Sequence, residues 1–343
     1  MDAEQLHRRR EQRALERRRR HARRRMTALG ALAVVLVVAV VVIVSAGSGS
    51  NPKPAAGAGA DGSGGAAIAS PASPSAAGHV THATARRHHG QSTAAVLGPA
   101  TGKPGTASVP VLMYHVIAAP PGGAPYPGLY VQPQEFAAQM AALKSAGWRA
   151  VTLDQLRAYW AHGAKLPPGK PIVITFDNGY HSQYTQALPV LRRMGWVADE
   201  NIQLTGLPPS QGGMTTGQVR ALVDDGWELD TQGISHADLA TADAAELHYQ
   251  VASARQILRR RYGVPVDWFC YPSGQYNPSV IAAVRSAGFV GSTTVVPGWA
   301  GPSTDPYTLP RLRVLGGTSP AGLLAQIASA RTAPAPAGSY VTS

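Results

Sequence analysis

Three stretches of this 343-residue sequence end an apolar run in side chains able to do chemistry. The run Pro171 to Phe176 stops at Asp177-Asn178-Gly179-Tyr180, which puts an acid, an amide and a phenol in one polar turn. WELDT (227–231) runs into Gln232-Gly233-Ile234-Ser235-His236, and DWFCYP (267–272) passes through Tyr271 and Pro272 into Ser273-Gly274. A carboxylate beside an imidazole can move a proton or hold a metal ion, and nearby amides can orient a polar substrate. Each piece also has a plain structural use, since an aspartate at a strand end caps an Asx-type turn. The chemical reading requires that the three ends share one rim. In α/β folds the C-terminal ends of parallel strands are where ligands collect.

The intervening elements are of the kind that builds such a rim. VPVLMYHVI (109–117), WRAVT (148–152), PIVITF (171–176), the stretch around NIQL (201–204), WELDT, DWFCYP, FVGSTTVV (289–296) and TLPRLRV (308–314) read as strands. Apolar runs such as PIVITF fit strands covered on both faces. Helical stretches separate most of them. In 133–147, Phe136, Met140 and Leu143 share a face, and 215–226 runs from a threonine cap to a glycine. In 243–263, Leu247, Val251, Ala254 and Leu258 form a core-facing stripe. Segments 277–288 and 319–331 behave likewise, whereas in 182–195 Pro189 must kink or restart the helix. Strand–helix alternation of this kind implies a parallel α/β sheet, open or closed into a barrel.

The rest of the chain lacks core-forming patterns. Residues 1–26 form a basic tail, with eleven arginines against four acids in the first 25 positions. Residues 27–46 carry no charge and, at helical rise, span about 30 Å, the thickness of a bilayer's apolar interior. The arginines then stay cytoplasmic by the positive-inside rule, and everything downstream lies outside. Val44-Ser45-Ala46 has the small residues of a signal-peptide cleavage site, but the apolar stretch exceeds a usual signal core, which favours an uncleaved anchor. Residues 47–108 are Ala-, Gly-, Ser- and Pro-rich and read as a disordered stalk with a reach of roughly 45 Å. The globular domain occupies 109–331, followed by a flexible tail over 332–343. Most of the net charge of +12 falls outside that domain, which leaves it without the basic face of a nucleic-acid binder. Cys270 is the single cysteine, so neither a disulfide nor a cysteine-built zinc cluster forms within one chain.

Over roughly 109–328 the sequence resembles the polysaccharide deacetylases of the NodB-homology group, carbohydrate esterase family 4. ITFDNGY is similar to the family's T-F-D-D-G motif, and MTTGQVRALVDDGWELDTQGISHADL to the segment through its H-x-x-x-H motif. FCYPSGQYN resembles its third motif, YTLPRLRV its late arginine-bearing strand, and VPVLMYHVI its opening strand. The resemblance implies a distorted (β/α) barrel with fewer than eight strands and its site at the strand C-termini. It implies removal of acetyl groups from N-acetylated sugars of cell-surface polysaccharide, a non-peptide C–N bond hydrolysis, with zinc or a similar divalent metal. The family's general base falls on Asp177, and its metal ligands fall on Asn178, Gln232 and His236. Sugar contacts are expected from Tyr180, Tyr271, Pro272 and Trp299.

The departures from the family pattern bear on the metal. Asn178 replaces a carboxylate and Gln232 an imidazole, so a ligand set of charge −1 becomes neutral and its affinity for zinc falls. Cys270 stands where the third motif has an arginine, and Ser273 where it has an aromatic residue. The family's C-terminal Leu-His pair has no counterpart, and of His115 and His181 the latter, beside the Asp177 turn, is the better substitute for the general acid. Two expectations follow, a hydrolase with a weakened metal site and a catalytically inactive module that binds carbohydrate.

Overall fold

The computed structural model describes residues 100–207 and 212–332. Its centre is a sheet of nine strands: β1 (Val109–Tyr114), β2 (Trp148–Val151), β3 (Lys170–Asn178), β4 (Asp199–Ile202), β5 (Glu228–Thr231), β6 (Trp268–Cys270), β7 (Gly291–Thr293), β8 (Trp299–Ala300) and β9 (Leu312–Arg313). The order is β7-β6-β5-β4-β3-β1-β8, with β2 also against β3 and β9 also against β1. All pairings are parallel except β1 with β8. Nine exceeds the fewer than eight expected, because the two-residue β8 and β9 add to seven longer strands.

The sheet curls toward closure through the segment from Leu309 to Arg313. Leu309 bridges to Thr293 of β7, the Arg311 N–H donates to the Val296 carbonyl, and Leu312 pairs with Leu112 of β1. This segment therefore fills the gap between the last and first strands and carries Arg311 into the interior.

Strand alternation sorts the two faces of the sheet. On β3, Ile172, Ile174 and Phe176 point outward and pack with Phe136, Met140, Leu191, Leu323 and Ile327 of the surrounding helices. These helices are α1 (Pro133–Ser145), α3 (Leu188–Met194) and α8 (Pro320–Ala330). Burying one such side chain fully stabilises the fold by roughly 1.5–3 kcal/mol. The alternate residues, Thr175 and Asp177, face the barrel interior together with Asp199 and Asn201 of β4 and Glu228 and Asp230 of β5, all of them buried. The interior is thus polar, and this is the property that builds the site.

The remaining helices are α2 (Leu153–His162), α4 (Thr216–Asp224), α5 (Ala244–Leu247), α6 (Ala254–Tyr262) and α7 (Pro278–Ser286). A π-helical turn, His248–Ser253, joins α5 to α6. Pro189 does restart its helix: a π-helical turn over Gln183–Ala187 precedes α3. Helix α2 was not foreseen. It opens with a capping box, in which Thr152 accepts from the Gln155 N–H and the Gln155 side chain accepts from the Thr152 N–H, and it closes on Gly163 at φ 64°.

The stalk expected over 47–108 enters the described residues only at its end. There Gly102, Gly105 and Ala107 hydrogen-bond to His162, Tyr159 and Trp160 of α2, so these last positions are docked rather than free. The expected basic tail and span at 27–46 lie outside the described residues, as does nearly all of the C-terminal tail. Among the described residues no helix is long and apolar enough to cross a membrane.

Candidate functional site

Asp177 is the penultimate residue of β3, with its carboxylate buried under the rim. Arg311 grips it from the closing segment, Nη1 to Oδ1 at 2.7 Å and Nη2 to Oδ2 at 2.9 Å. Asn201 Nδ2 donates to Oδ1 at 2.9 Å, and the Cys270 thiol lies 3.5 Å from Oδ2. Arg311 is itself fixed, donating to the Thr294 carbonyl, to Thr175 Oγ1 and toward Cys270 Sγ. Burial alone would raise the Asp177 pKa, but the charge and hydrogen bonds of Arg311, then His115 and Asn201, outweigh it and hold the group near 2. Burial pushes the Cys270 thiol up to about 12, against the pull of Arg311, so it stays protonated.

Two imidazoles share this environment. His115, just past β1, places Nε2 3.9 Å from Asp177 Oδ2. Burial drives its pKa down to about 4, partly countered by Asp177 and reinforced by Arg311, Arg313 and His236. His236 is half-buried, and its pKa is also lowered by burial, with Asp177 pulling the other way. Asp177, His115 and His236 thus lie within each other's electrostatic reach, and near neutrality both rings are uncharged beside one anion.

The backbone marks the same rim. Among the described residues three non-glycine positions have positive φ, namely Asn178 (80°), His236 (54°) and Ser273 (54°). One falls in each of the three strand-end turns. Each such conformation costs on the order of 1–3 kcal/mol and persists only where surrounding contacts enforce it.

The donors at the expected metal positions do not suit zinc. The Asn178 amide donates through Nδ2 to Gln203 Oε1 at 2.7 Å. Gln232 directs Nε2 at Cys270 Sγ, 3.4 Å away, and its buried Oε1 has no partner. The rim therefore offers two neutral amide oxygens and one imidazole, and both oxygens of the nearest carboxylate are taken by Arg311. Such a set lacks the charge and basicity that zinc requires.

Several other expected positions are corrected. His181 is exposed and pairs with Gln218 Oε1, so His115, not His181, is the histidine beside Asp177. Tyr271 is fully buried, stacked on Tyr276 at 4.7 Å with its hydroxyl donating to the Tyr307 carbonyl, and presents no face to a sugar. Trp299 lies at the opposite end of the barrel, because antiparallel β8 pairs it with Pro110 at the start of β1. Its indole donates to the Ile327 carbonyl and packs edge-on to Trp148. Pro272 is buried in the third turn, and Tyr180 remains half-exposed beside Asp177. Asn201 was missed because a neutral residue inside a strand gives no local signal. Arg311 lay in the segment noted for its arginines, but strand alternation would put it on the same face as Arg313, and only the tertiary fold buries the one and exposes the other.

Residues 164–292 match the polysaccharide deacetylase family. The putative polysaccharide deacetylase YxkH of Bacillus subtilis is 28% identical over 224 residues, covering 65% of this chain and 77% of that protein. The poly-beta-1,6-N-acetyl-D-glucosamine N-deacetylase of Escherichia coli K12 is 43% identical over 61 residues, 18% of this chain and 9% of that enzyme. A putative polysaccharide deacetylase from Bacillus anthracis shares the fold with a TM-score of 0.58 at 25% identity, over 65% of this chain and 69% of that one. With the parallel curled sheet and the strand-end rim, these matches identify residues 164–292 as a polysaccharide deacetylase-family segment.

Proposed function

We propose that this domain binds N-acetylated polysaccharide at the rim around Asp177 and does not hydrolyse it by a metal-dependent route. The observation that carries this reading is the state of Asp177, whose two oxygens are both committed to Arg311 while amides stand at 178 and 232. With those ligands replaced, the strand ends keep polar side chains suited to recognition. The orphan Gln232 Oε1 is an acceptor for an acetamide N–H, the half-buried imidazole of His236 offers a further polar contact, and half-exposed Tyr180 can pack on a sugar face. The acetylated-glucosamine polymer named for the Escherichia coli relative supports the ligand class.

In this reading residues 27–46 anchor the domain outside the cytoplasmic membrane, and the stalk carries it toward the cell wall. The test is calorimetric titration with β-1,6- and β-1,4-linked N-acetylglucosamine oligomers, with and without EDTA. Binding indifferent to EDTA is expected. Binding abolished by EDTA and restored by zinc would overturn it. Protease treatment of intact cells checks the location, since digestion of the domain is expected and protection would contradict export.

One observation favours the hydrolytic alternative. His115 is a neutral imidazole 3.9 Å from an anionic carboxylate, an arrangement competent for general-base chemistry on an acetamide. That reading requires acetate release that disappears in Asp177→Asn and in His115→Gln alike.

A further inference from the structure

Beneath the rim the barrel interior holds a second group of buried acids with no part in the Asp177 site. Parallel pairing of β4 with β5 sets Asp199 against Glu228 and Asn201 against Asp230. Because strands alternate with a period of two, all four side chains face the interior. One oxygen from each of Asp199, Glu228 and Asp230 lies within 4.8 Å of the other two.

One oxygen of each acid is already used. Asp199 Oδ1 accepts from the Leu153 N–H at 2.9 Å, Glu228 Oε2 from the Asp154 N–H at 3.0 Å, and Asp230 Oδ1 from the Trp268 N–H at 2.9 Å. The first two donors are the opening amides of α2, so that helix end offsets part of the negative charge. The other oxygens, Asp199 Oδ2, Glu228 Oε1 and Asp230 Oδ2, have no partner and are buried. Asn201 Oδ1 is likewise unpartnered and buried. Its amide nitrogen is committed to Asp177 on the β3 side, which leaves the oxygen on the side of β5. Among the described residues no Lys or Arg forms an ion pair with any of the three acids.

Three buried carboxylates this close together, each with an unpartnered oxygen, require either protons or a cation between them, since bare anions at this spacing repel strongly. The backbone hydrogen bonds to one oxygen of each acid fix the carboxylates in place. An all-oxygen donor set of high negative charge is hard, and it suits Mg²⁺, Mn²⁺ or Ca²⁺ rather than zinc. We infer that Asp199, Glu228 and Asp230, with Asn201 Oδ1 beside them, form an internal site for one such divalent cation. The ion ties the start of α2 to β4 and β5. This site does not involve Asn178, Gln232 or His236, and it touches the rim through Asn201, whose Nδ2 donates to Asp177.

The experiment uses the full chain, freed of metal by chelation and then given Mg²⁺, Mn²⁺ or Ca²⁺ separately. Metal content by mass spectrometry and thermal unfolding by calorimetry are the readouts, with Mn²⁺ followed also by its paramagnetic signal. One bound equivalent is expected, together with a rise in Tm of roughly 5 °C or more at about 100 times Kd. Asp230→Asn should weaken the site by about tenfold or more, and Gln232→Ala should leave it unchanged. Failure of all three cations to be retained or to raise Tm in the unmodified chain overturns the proposal, whether or not Asp230→Asn folds. A gain in Tm on Asp230→Asn without any metal would identify a cluster that shares protons. Loss of the ion on Gln232→Ala would place it at the rim and would equally refute an internal site.

Discussion

Arg311 holds both carboxylate oxygens of Asp177, at 2.7 and 2.9 Å, across 134 positions of sequence. The pair is buried, so its net contribution to stability is small, but breaking it from one side strands a charge. It also ties the segment that closes the barrel to the strand that presents the rim. This one contact therefore joins closure of the fold to the geometry of the site.

Removing the cation from this pair should be costly. Arg311→Met is expected to lower the unfolding free energy by about 3–5 kcal/mol, because Asp177 is left charged and buried. The double variant Arg311→Met with Asp177→Leu should recover most of that loss. Urea denaturation followed by circular dichroism measures both, and equal stability of the single and double variants would contradict the account.

The His115 imidazole gives a pH signature. Its pKa falls from 6.5 in the unfolded chain to about 4 in the folded one, chiefly through burial. The unfolded state thus takes up a proton first as pH drops. Stability is full above pH 6.5 and is lost as pH falls toward 4, by an order of 3 kcal/mol for the whole shift. His115→Gln should flatten stability over that window. Histidine NMR should find the ring neutral at pH 5, and a midpoint near 6.5 would contradict its burial beside Arg311.

The turn after Asp177 depends on glycine at one position. Gly179 has a φ of +90°, and a Cβ there would lie 2.8 Å from Ile202 Cγ1. Gly179→Ala should cost about 1–3 kcal/mol, from the backbone and the contact together. In an Ile202→Ala background, which removes Cγ1, Gly179→Ala should still cost part of this, since the backbone term remains. No cost in that background by thermal unfolding would show that φ carries no strain.

Much of the architecture was legible because local chemistry and tertiary environment agreed. PIVITF reads as a covered strand and is one, and Pro189 forces the helix restart that the π turn provides. The three strand ends stand out by their polar residues; His236 lies within electrostatic reach of Asp177, and Gln232 reaches Cys270, which lies 3.5 Å from Asp177. Helix α2 escaped notice because its buried positions, Leu153, Gln155 and Leu156, make only a short stripe, although Thr152 and Gln155 spell a capping box.

What stayed hidden was set by register and direction. Trp299 looked like a sugar platform beside glycine and proline, but the antiparallel course of β8 carries it to the far end of the barrel. Asp199 and Asp230 are far apart in sequence and become neighbours only through β4–β5 pairing. His181 is near Asp177 in the chain and His115 is near it in space, because β1 and β3 run side by side. No local pattern encodes such relationships.

The most direct test is acetate release from N-acetylglucosamine oligomers, comparing the native chain with Asn178→Asp/Gln232→His, both supplied with zinc. A chain that binds without hydrolysing predicts no acetate from the native protein at high loading, while the double variant takes up zinc and begins to release it. Turnover by the native protein that vanishes in Asp177→Asn would contradict the account.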